Sequence, residues 1–111
     1  MSLIIKQGDQ YKLPIALRLD EQPVTDDTIY AIETVEFYLA DNLMEYKADG
    51  SGNVMFENDS FLLPLTQKMT FSLRAAPVPL DVRVKFTDGD VIGLENKIEV
   101  TIRESRSRRE L

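Results

Sequence analysis

The chain has 111 residues, 43% of them hydrophobic and 29% charged, which is the size and make-up of one ordinary globular domain. It contains no cysteine and no histidine, so a disulfide framework, a thiolate zinc cluster and a Ser-His-Asp or Cys-His relay are all excluded. The net charge of −6 is unevenly placed: four arginines against two glutamates leave the last nine residues at +2, so residues 1–102 carry −8. An acidic body of this kind argues against nucleic-acid binding across the domain surface.

Taken in order, Leu3-Ile4-Ile5 is a short apolar run stopped by Gln7-Gly8-Asp9, and it reads as an edge strand. From Tyr11 to Leu19 apolar residues occupy every second position, the period of a half-buried strand. Pro14 interrupts it and cannot donate to a ladder, which places this strand at a sheet edge or on a bulge. Asp20-Glu21-Gln22-Pro23 reads as a turn, and Val24–Ala31 either as a brief helical turn capped by Thr25-Asp26-Asp27 or as a loop, of which the loop is favoured.

Alternation returns at Glu33–Leu39, where Val35, Phe37 and Leu39 share one side. Asp41-Asn42 marks a turn into a short partner strand, Leu43–Lys47, and Asp49-Gly50-Ser51-Gly52-Asn53 a flexible connection to Val54–Glu57. Asn58-Asp59-Ser60 breaks the chain before Phe61–Leu65, and Thr66 is placed to cap one helical turn within Thr66–Leu73. Ala76-Pro77-Val78-Pro79 leads into the clearest segment, Leu80–Ile102. There Leu80, Val82, Val84 and Phe86 alternate with Asp81, Arg83 and Lys85, and after Thr87-Asp88-Gly89-Asp90 the residues Ile98, Val100 and Ile102 alternate with Lys97, Glu99, Thr101 and Arg103. Two alternating runs around Asp-Gly are a β-hairpin signature, because Asp-Gly readily adopts the positive φ of a tight turn.

Short strands separated by turn signals, without a convincing amphipathic helix, predict an all-β fold: an antiparallel immunoglobulin-like β-sandwich of about seven to nine strands over residues 1–102, with 103–111 as an arginine-rich C-terminal tail. It would lack the disulfide and the buried Trp of antibody domains. Aromatic parity predicts burial for Tyr11, Phe37, Phe56, Phe61, Phe71 and Phe86, and leaves Tyr30, Tyr38 and Tyr46 for the surface.

No motif for catalysis emerges. Asp49–Asn53 opens like a calcium loop, but the twelfth position of an EF-hand would be Ser60 instead of a bidentate Glu, and a solvated turn explains these residue types without a metal. The Asp26-Asp27 and Asp88/Asp90 pairs are likewise ordinary turn chemistry. No Gly-x-Ser-x-Gly elbow, phosphate loop or dinucleotide fingerprint is present. The expectation is therefore a protein that is not an enzyme, with no catalytic residues, no metal and no cofactor. No apolar run reaches the roughly 20 residues of a membrane span, and Met1–Ile5 is too short for a secretory signal core, which predicts synthesis in a cytoplasm and no membrane partner.

The candidate partner-binding residues are the apolar edge, Leu3, Ile4 and Ile5, and the tail arginines Arg103, Arg106, Arg108 and Arg109. An apolar edge with little charge is open to strand addition. The tail permits three readings: a solvated end, docking on the acidic body of another copy, or contact with phosphates, the second being the more economical.

Ile4-Ile5-Lys6-Gln7-Gly8-Asp9, the turn running from Asp20 to Thr25, Val35-Glu36-Phe37, Leu65-Thr66-Gln67 with Thr70-Phe71, and Val82–Gly89 with Val91-Ile92-Gly93 together resemble small immunoglobulin-like domains in tail and baseplate proteins of phages and prophages of Gram-positive bacteria, among them the N-terminal domain of the baseplate upper protein. That resemblance implies a structural module of a virion, with other virion proteins or further copies of itself as partners. Baseplate upper proteins continue into a long helical or receptor-facing region, whereas this chain has nine residues after the domain, and a stand-alone accessory domain is the expectation. The alternative is a carbohydrate-binding or adhesive β-sandwich, with tyrosines as its platform.

Overall fold

The computed structural model describes residues 2–94 and 98–111. Met1, named above as the start of Met1–Ile5, and Lys97, placed in the polar parity of the last strand, lie outside the described residues. The fold is all-β, built from two sheets that face each other, with eleven strand segments among the described residues.

The larger sheet has the order β1-β11-β9-β5-β6, formed by β1 (Ser2–Lys6), β5 (Ile32–Leu39), β6 (Asn42–Lys47), β9 (Pro77–Phe86) and β11 (Ile98–Arg103), with β10 (Val91–Gly93) pairing β9 beyond the end of β11. The smaller sheet is β2-β8-β7, from β2 (Lys12–Ile15), β7 (Met55–Glu57) and β8 (Ser60–Pro64). Two-residue strands β3 (Arg18–Leu19) and β4 (Gln22–Pro23) form a separate small hairpin. Among the described residues one α-helix, α1 (Gln67–Ser72), links β8 to β9, and the Thr66 hydroxyl caps it as expected by accepting from the Met69 amide at 3.1 Å.

The alternating strands place one parity in the core. Val35, Phe37 and Leu39 of β5, Leu80, Val82 and Val84 of β9, and Val100 and Ile102 of β11 are buried, and so are Leu13 and Ile15 of β2 and Phe61 and Leu63 of β8 from the opposite sheet. Phe61 joins the two layers. Its ring lies 5.5 Å from Phe37, 5.3 Å from Tyr46 and 4.8 Å from Phe56, tilted or edge-on to each, the arrangement the ring quadrupoles favour.

The final hairpin forms around Asp-Gly. Phe86 N–H donates to the Asp90 carbonyl, Gly89 N–H to the Phe86 carbonyl, and Gly89 adopts φ +100°, the three-residue loop closed by a left-handed residue. Its return arm is divided. β10 pairs with Arg83–Lys85, β11 pairs with Pro77–Leu80, and the register slips by two residues between them.

Several expectations need correction. The run Tyr11–Leu19 is not one strand: it ends at Ile15, and Arg18-Leu19 turn aside to pair with Gln22-Pro23 through a type I′ turn with φ +50° at Asp20 and +66° at Glu21. This division and that of the last arm raise the strand count above seven to nine. The segment Val24–Ala31 is a loop only in part, because Ile29–Ala31 forms a 3-10 turn.

Strand β9 begins at Pro77 and not at Leu80. Ile102 N–H donates to the Ala76 carbonyl, so even-numbered residues of β9 bond to β11, and the nitrogens of Pro77 and Pro79 point to the side that β5 no longer reaches. Prolines there cost no hydrogen bond and blunt the open edge. Tyr11 is 40% exposed because it precedes β2 and lies beside Asp9, while Tyr46 is half-buried against Phe61. Phe56, Phe71 and Phe86 are only partly buried. Burial pushes the Tyr46 phenol above its ordinary pKa, and burial with the nearby Asp9 carboxylate does the same to Tyr11.

The β5–β6 hairpin closes through Ala40-Asp41, with Ala40 held at φ +54°. A Cβ in that region costs on the order of 1 kcal/mol, so Ala40→Gly should stabilise the fold by about that amount. Urea denaturation with an unchanged m-value and a raised midpoint is the expected reading.

Candidate functional site

The N-terminal strand, the loop that follows it and the C-terminal tail meet at one end of the molecule. β1 runs parallel to β11, with Leu3 opposite Val100, Ile4 opposite Thr101 and Ile5 opposite Ile102. Parallel pairing between the two ends of a domain carries no local sequence signal, which is why alternation alone reveals an edge strand but not its neighbour. Gln7 N–H donates to the Arg103 carbonyl at 2.9 Å, so odd-numbered residues of β1 direct their backbone groups to β11. Those of Ile4 therefore point outward along the free edge.

The side chains divide the other way. Ile5 is fully buried and Leu3 partly buried against the core, whereas Ile4 is 57% exposed on the outer face. Of the three apolar candidates, Ile4 alone combines an outward backbone with an outward side chain. Further along, the Lys6 amide is taken by Asp9 Oδ2 at 2.9 Å, which closes the edge at that residue.

Beyond β1 the loop is held by polar contacts. Gly8 adopts φ +91°, a conformation that favours glycine, and a Cβ there would stand 2.7 Å from the Phe71 ring, which would have to shift to admit it. The buried Thr70 hydroxyl accepts from the Gly8 amide at 2.9 Å and lies 2.9 Å from the Asp9 carbonyl as its donor. Gln67 Nε2 donates to the Gly8 carbonyl, and Gln7 Nε2 to the Leu73 carbonyl at 2.8 Å.

The tail docks on this cluster in its own chain. Arg108 Nη1 donates to Gln7 Oε1 at 2.9 Å, and the Leu111 amide donates to Gln67 Oε1 at 2.8 Å. The reading of a free solvated end is thus replaced by a tethered one, while the exposed side chains of Arg103, Arg106 and Arg109 make no hydrogen bond or ion pair among the described residues. Sequence reasoning missed Gln7 and Gln67 because a side-chain amide bonding to a backbone has no periodicity to read. Arg108→Ala should cost about 1–2 kcal/mol by depriving a nearly buried amide oxygen of its charged donor, and Arg109→Ala less than about 0.5 kcal/mol. Paired thermal melts of the two variants check this.

On the outer face of the larger sheet, two open grooves of about 420 and 290 Å³ share Glu36 and Arg83. The first is lined also by Tyr38, Asp81 and Leu94, the second by Glu45, Lys47 and Lys85. Lys85 pairs with Glu33 at 3.5 Å and Lys47 with Glu45 at 3.8 Å, exposed contacts that contribute less than about 1 kcal/mol each. This face is a charged, solvated surface. Asp49, considered above for a calcium loop, accepts from the amide and hydroxyl of Ser51, which holds its carboxyl below the ordinary range and builds an Asx turn. Among the described residues no group of three or more Asp or Glu is arranged to hold a metal ion, and no helix is long and apolar enough to cross a membrane.

The tyrosines do not form a platform. Tyr30, 81% exposed, precedes β5 and Tyr38 lies near its far end, eight residues on and so roughly 25 Å away at the rise of a strand, while Tyr46 turns to the core. Compared with known proteins, the chain finds no significant match to a family model, to a curated protein or to a solved structure.

Proposed function

We propose that this chain is a non-enzymatic structural module of a phage or prophage virion, an immunoglobulin-like sandwich that joins a tail or baseplate assembly through the β1 edge. The observation that carries the proposal is the free edge at Ile4, where an outward backbone and an exposed apolar side chain coincide. A strand from a partner adds there without displacing anything, its backbone supplying the hydrogen bonds and its side chains the contact with Ile4.

The topology supports the immunoglobulin-like reading. Lettered in chain order as A (β1), B (β2), C (β5), C′ (β6), D (β7), E (β8), F (β9) and G (β10 with β11), the sheets read A-G-F-C-C′ and B-E-D, which is the B-E-D and G-F-C-C′ division of such sandwiches with the first strand paired to G instead of B. A chain without histidine or cysteine, whose carboxylates line turns and an open charged face, supports a binding role over a catalytic one. The separation of the tyrosines weighs against a sugar-binding surface.

The test is particle association. After prophage induction in a strain carrying the gene with a C-terminal tag, the chain is expected to sediment with intact tails, and Ile4→Pro to remain at the top of the gradient while melting within a few degrees of the parent. Absence of the parent chain from purified particles, or strong hits on a glycan array, would overturn the proposal.

A further inference from the structure

The topology separates the charges along the long axis. The molecule measures 46 × 26 × 23 Å, and its long dimension exceeds the width of the end faces by almost a factor of two. At one end lie the start of β9, the ends of β1 and β11, helix α1 and the tail, and there Lys6, Lys68, Arg74, Arg103, Arg106 and Arg109 are all exposed. The carboxylates at this end are Asp9, taken up by the Lys6 amide, with Asp41, Glu104 and Glu110. Cations outnumber them.

The opposite end gathers the turns. The Thr87 amide bonds to the Ala31 carbonyl, which ties the β9–β10 turn to the loop before β5, and the turns after β6 and β7 reach the same level. Asp26, Asp27, Asp49, Asp59, Asp88 and Asp90 are exposed there, while Lys85 and Lys47 are engaged by their own Glu33 and Glu45, and Arg18 is outnumbered by Asp20 and Glu21 in its own hairpin. Each pole also carries apolar side chains in water: Ile4 at 57% and Leu111 at 92% exposure on the basic one, Tyr30 at 81% and Val91 at 51% on the acidic one.

We infer that the basic pole of one copy docks on the acidic pole of the next, so that the chain associates head to tail with itself. This deepens the proposed assembly role and rests on it. Opposite poles on one particle make a heterologous contact, which closes into a ring or continues as a filament, and never self-terminates at two. Charge complementarity steers the encounter, and the exposed apolar groups supply the dry contact. An end face of 26 × 23 Å offers roughly 500 Å² per copy, at the low end for specific interfaces, so the contact is weak and salt-sensitive by itself.

Two charge-reversed variants test it, built at side chains that make no hydrogen bond in the fold. Asp26→Lys, Asp27→Lys, Asp59→Lys and Asp90→Lys together turn the acidic pole basic; Arg74→Glu, Arg106→Glu and Arg109→Glu together turn the basic pole acidic. Sedimentation velocity of the parent at about 20 mM salt, where screening extends beyond roughly 20 Å, is expected to give a mass that rises with concentration above twice the 12.7 kDa monomer and returns to one chain at high salt. Each variant alone should stay monomeric, and an equimolar mixture should regain association beyond two chains, because every pole of one variant then meets a pole of opposite sign on the other. A parent at 12.7 kDa in all conditions, or either variant associating as the parent does, overturns the inference. A monomeric parent that still sediments with tails would leave the virion reading standing, and a self-associating parent absent from tails would remove that reading alone.

Discussion

Phe61→Ala is expected to lower the unfolding free energy by about 3–5 kcal/mol, which for a domain of this size corresponds to a fall in Tm of roughly 15–30 °C. The ring is fully buried and sits at the only aromatic junction between the sheets among the described residues, against Phe37 and Tyr46 on one side and Phe56 on its own. Truncation removes apolar burial, three ring contacts and the filling of a space that β5 and β8, each fixed in its ladder, cannot close. Since such domains are stable by only about 5–15 kcal/mol, the variant keeps a small margin. A volume-conserving Phe61→Leu should recover most of the loss, and equilibrium urea unfolding of the pair separates cavity formation from loss of aromatic geometry.

Gly52→Ala should cost about 3 kcal/mol for a different reason. A methyl group on Gly52 would run into the Glu45 carbonyl oxygen and stand 2.9 Å from the Lys47 amide, and both obstacles are backbone of β6. A side chain in the way can rotate; a paired strand cannot, so the loop from Asp49 to Asn53 has to lift off. That breaks the bonds it makes to the edge of β6, where Asn53 Oδ1 accepts from the Glu45 amide and the Val54 amide donates to the Glu45 carbonyl, both at 2.9 Å. Gly50→Ala is the control. Gly50 has φ +83°, but a methyl group there would meet nothing within 4 Å, so only conformational strain applies and the cost should be about 1 kcal/mol. Denaturant midpoints for the two variants, with amide exchange at Glu45, distinguish a steric block from a φ preference.

The same residues show what alternation reveals and what it hides. Val35-Phe37-Leu39 and Leu80-Val82-Val84 announce their strands because each strand has one face on the core and one in water, which imposes a period of two on the residues themselves. Thr66 announces a helix start because the capping hydroxyl and the amide it accepts are three residues apart. Nothing comparable marks the neighbour of a strand. The pairing of β1 with β11 joins residues about a hundred positions apart, and the departure of Arg18-Leu19 to a separate hairpin depends on two left-handed residues, Asp20 and Glu21, of types that carry only part of the turn signal.

The candidate surface was legible by half. The apolar character of Leu3-Ile4-Ile5 and the basic character of the tail can be read from composition, but which of the three isoleucine and leucine side chains faces water follows only from the register with β11. The tether of Arg108 to Gln7 and of Leu111 to Gln67 lies wholly outside pattern reading. So does the division of charge between two poles, because Asp26, Asp59 and Asp90 are distant in sequence and meet only when their turns are brought to one end.

The role assigned to this chain depends on an edge that is unoccupied in the isolated domain, and amide hydrogen exchange at β1 tests that most directly. In dilute solution the Ile4 amide is expected to exchange orders of magnitude faster than the Ile5 amide, which faces β11, with the Lys6 amide between them through its bond to Asp9. Equal, strong protection of Ile4 and Ile5 in a monomeric sample would mean that the edge is already covered, and the account of docking at β1 would be wrong.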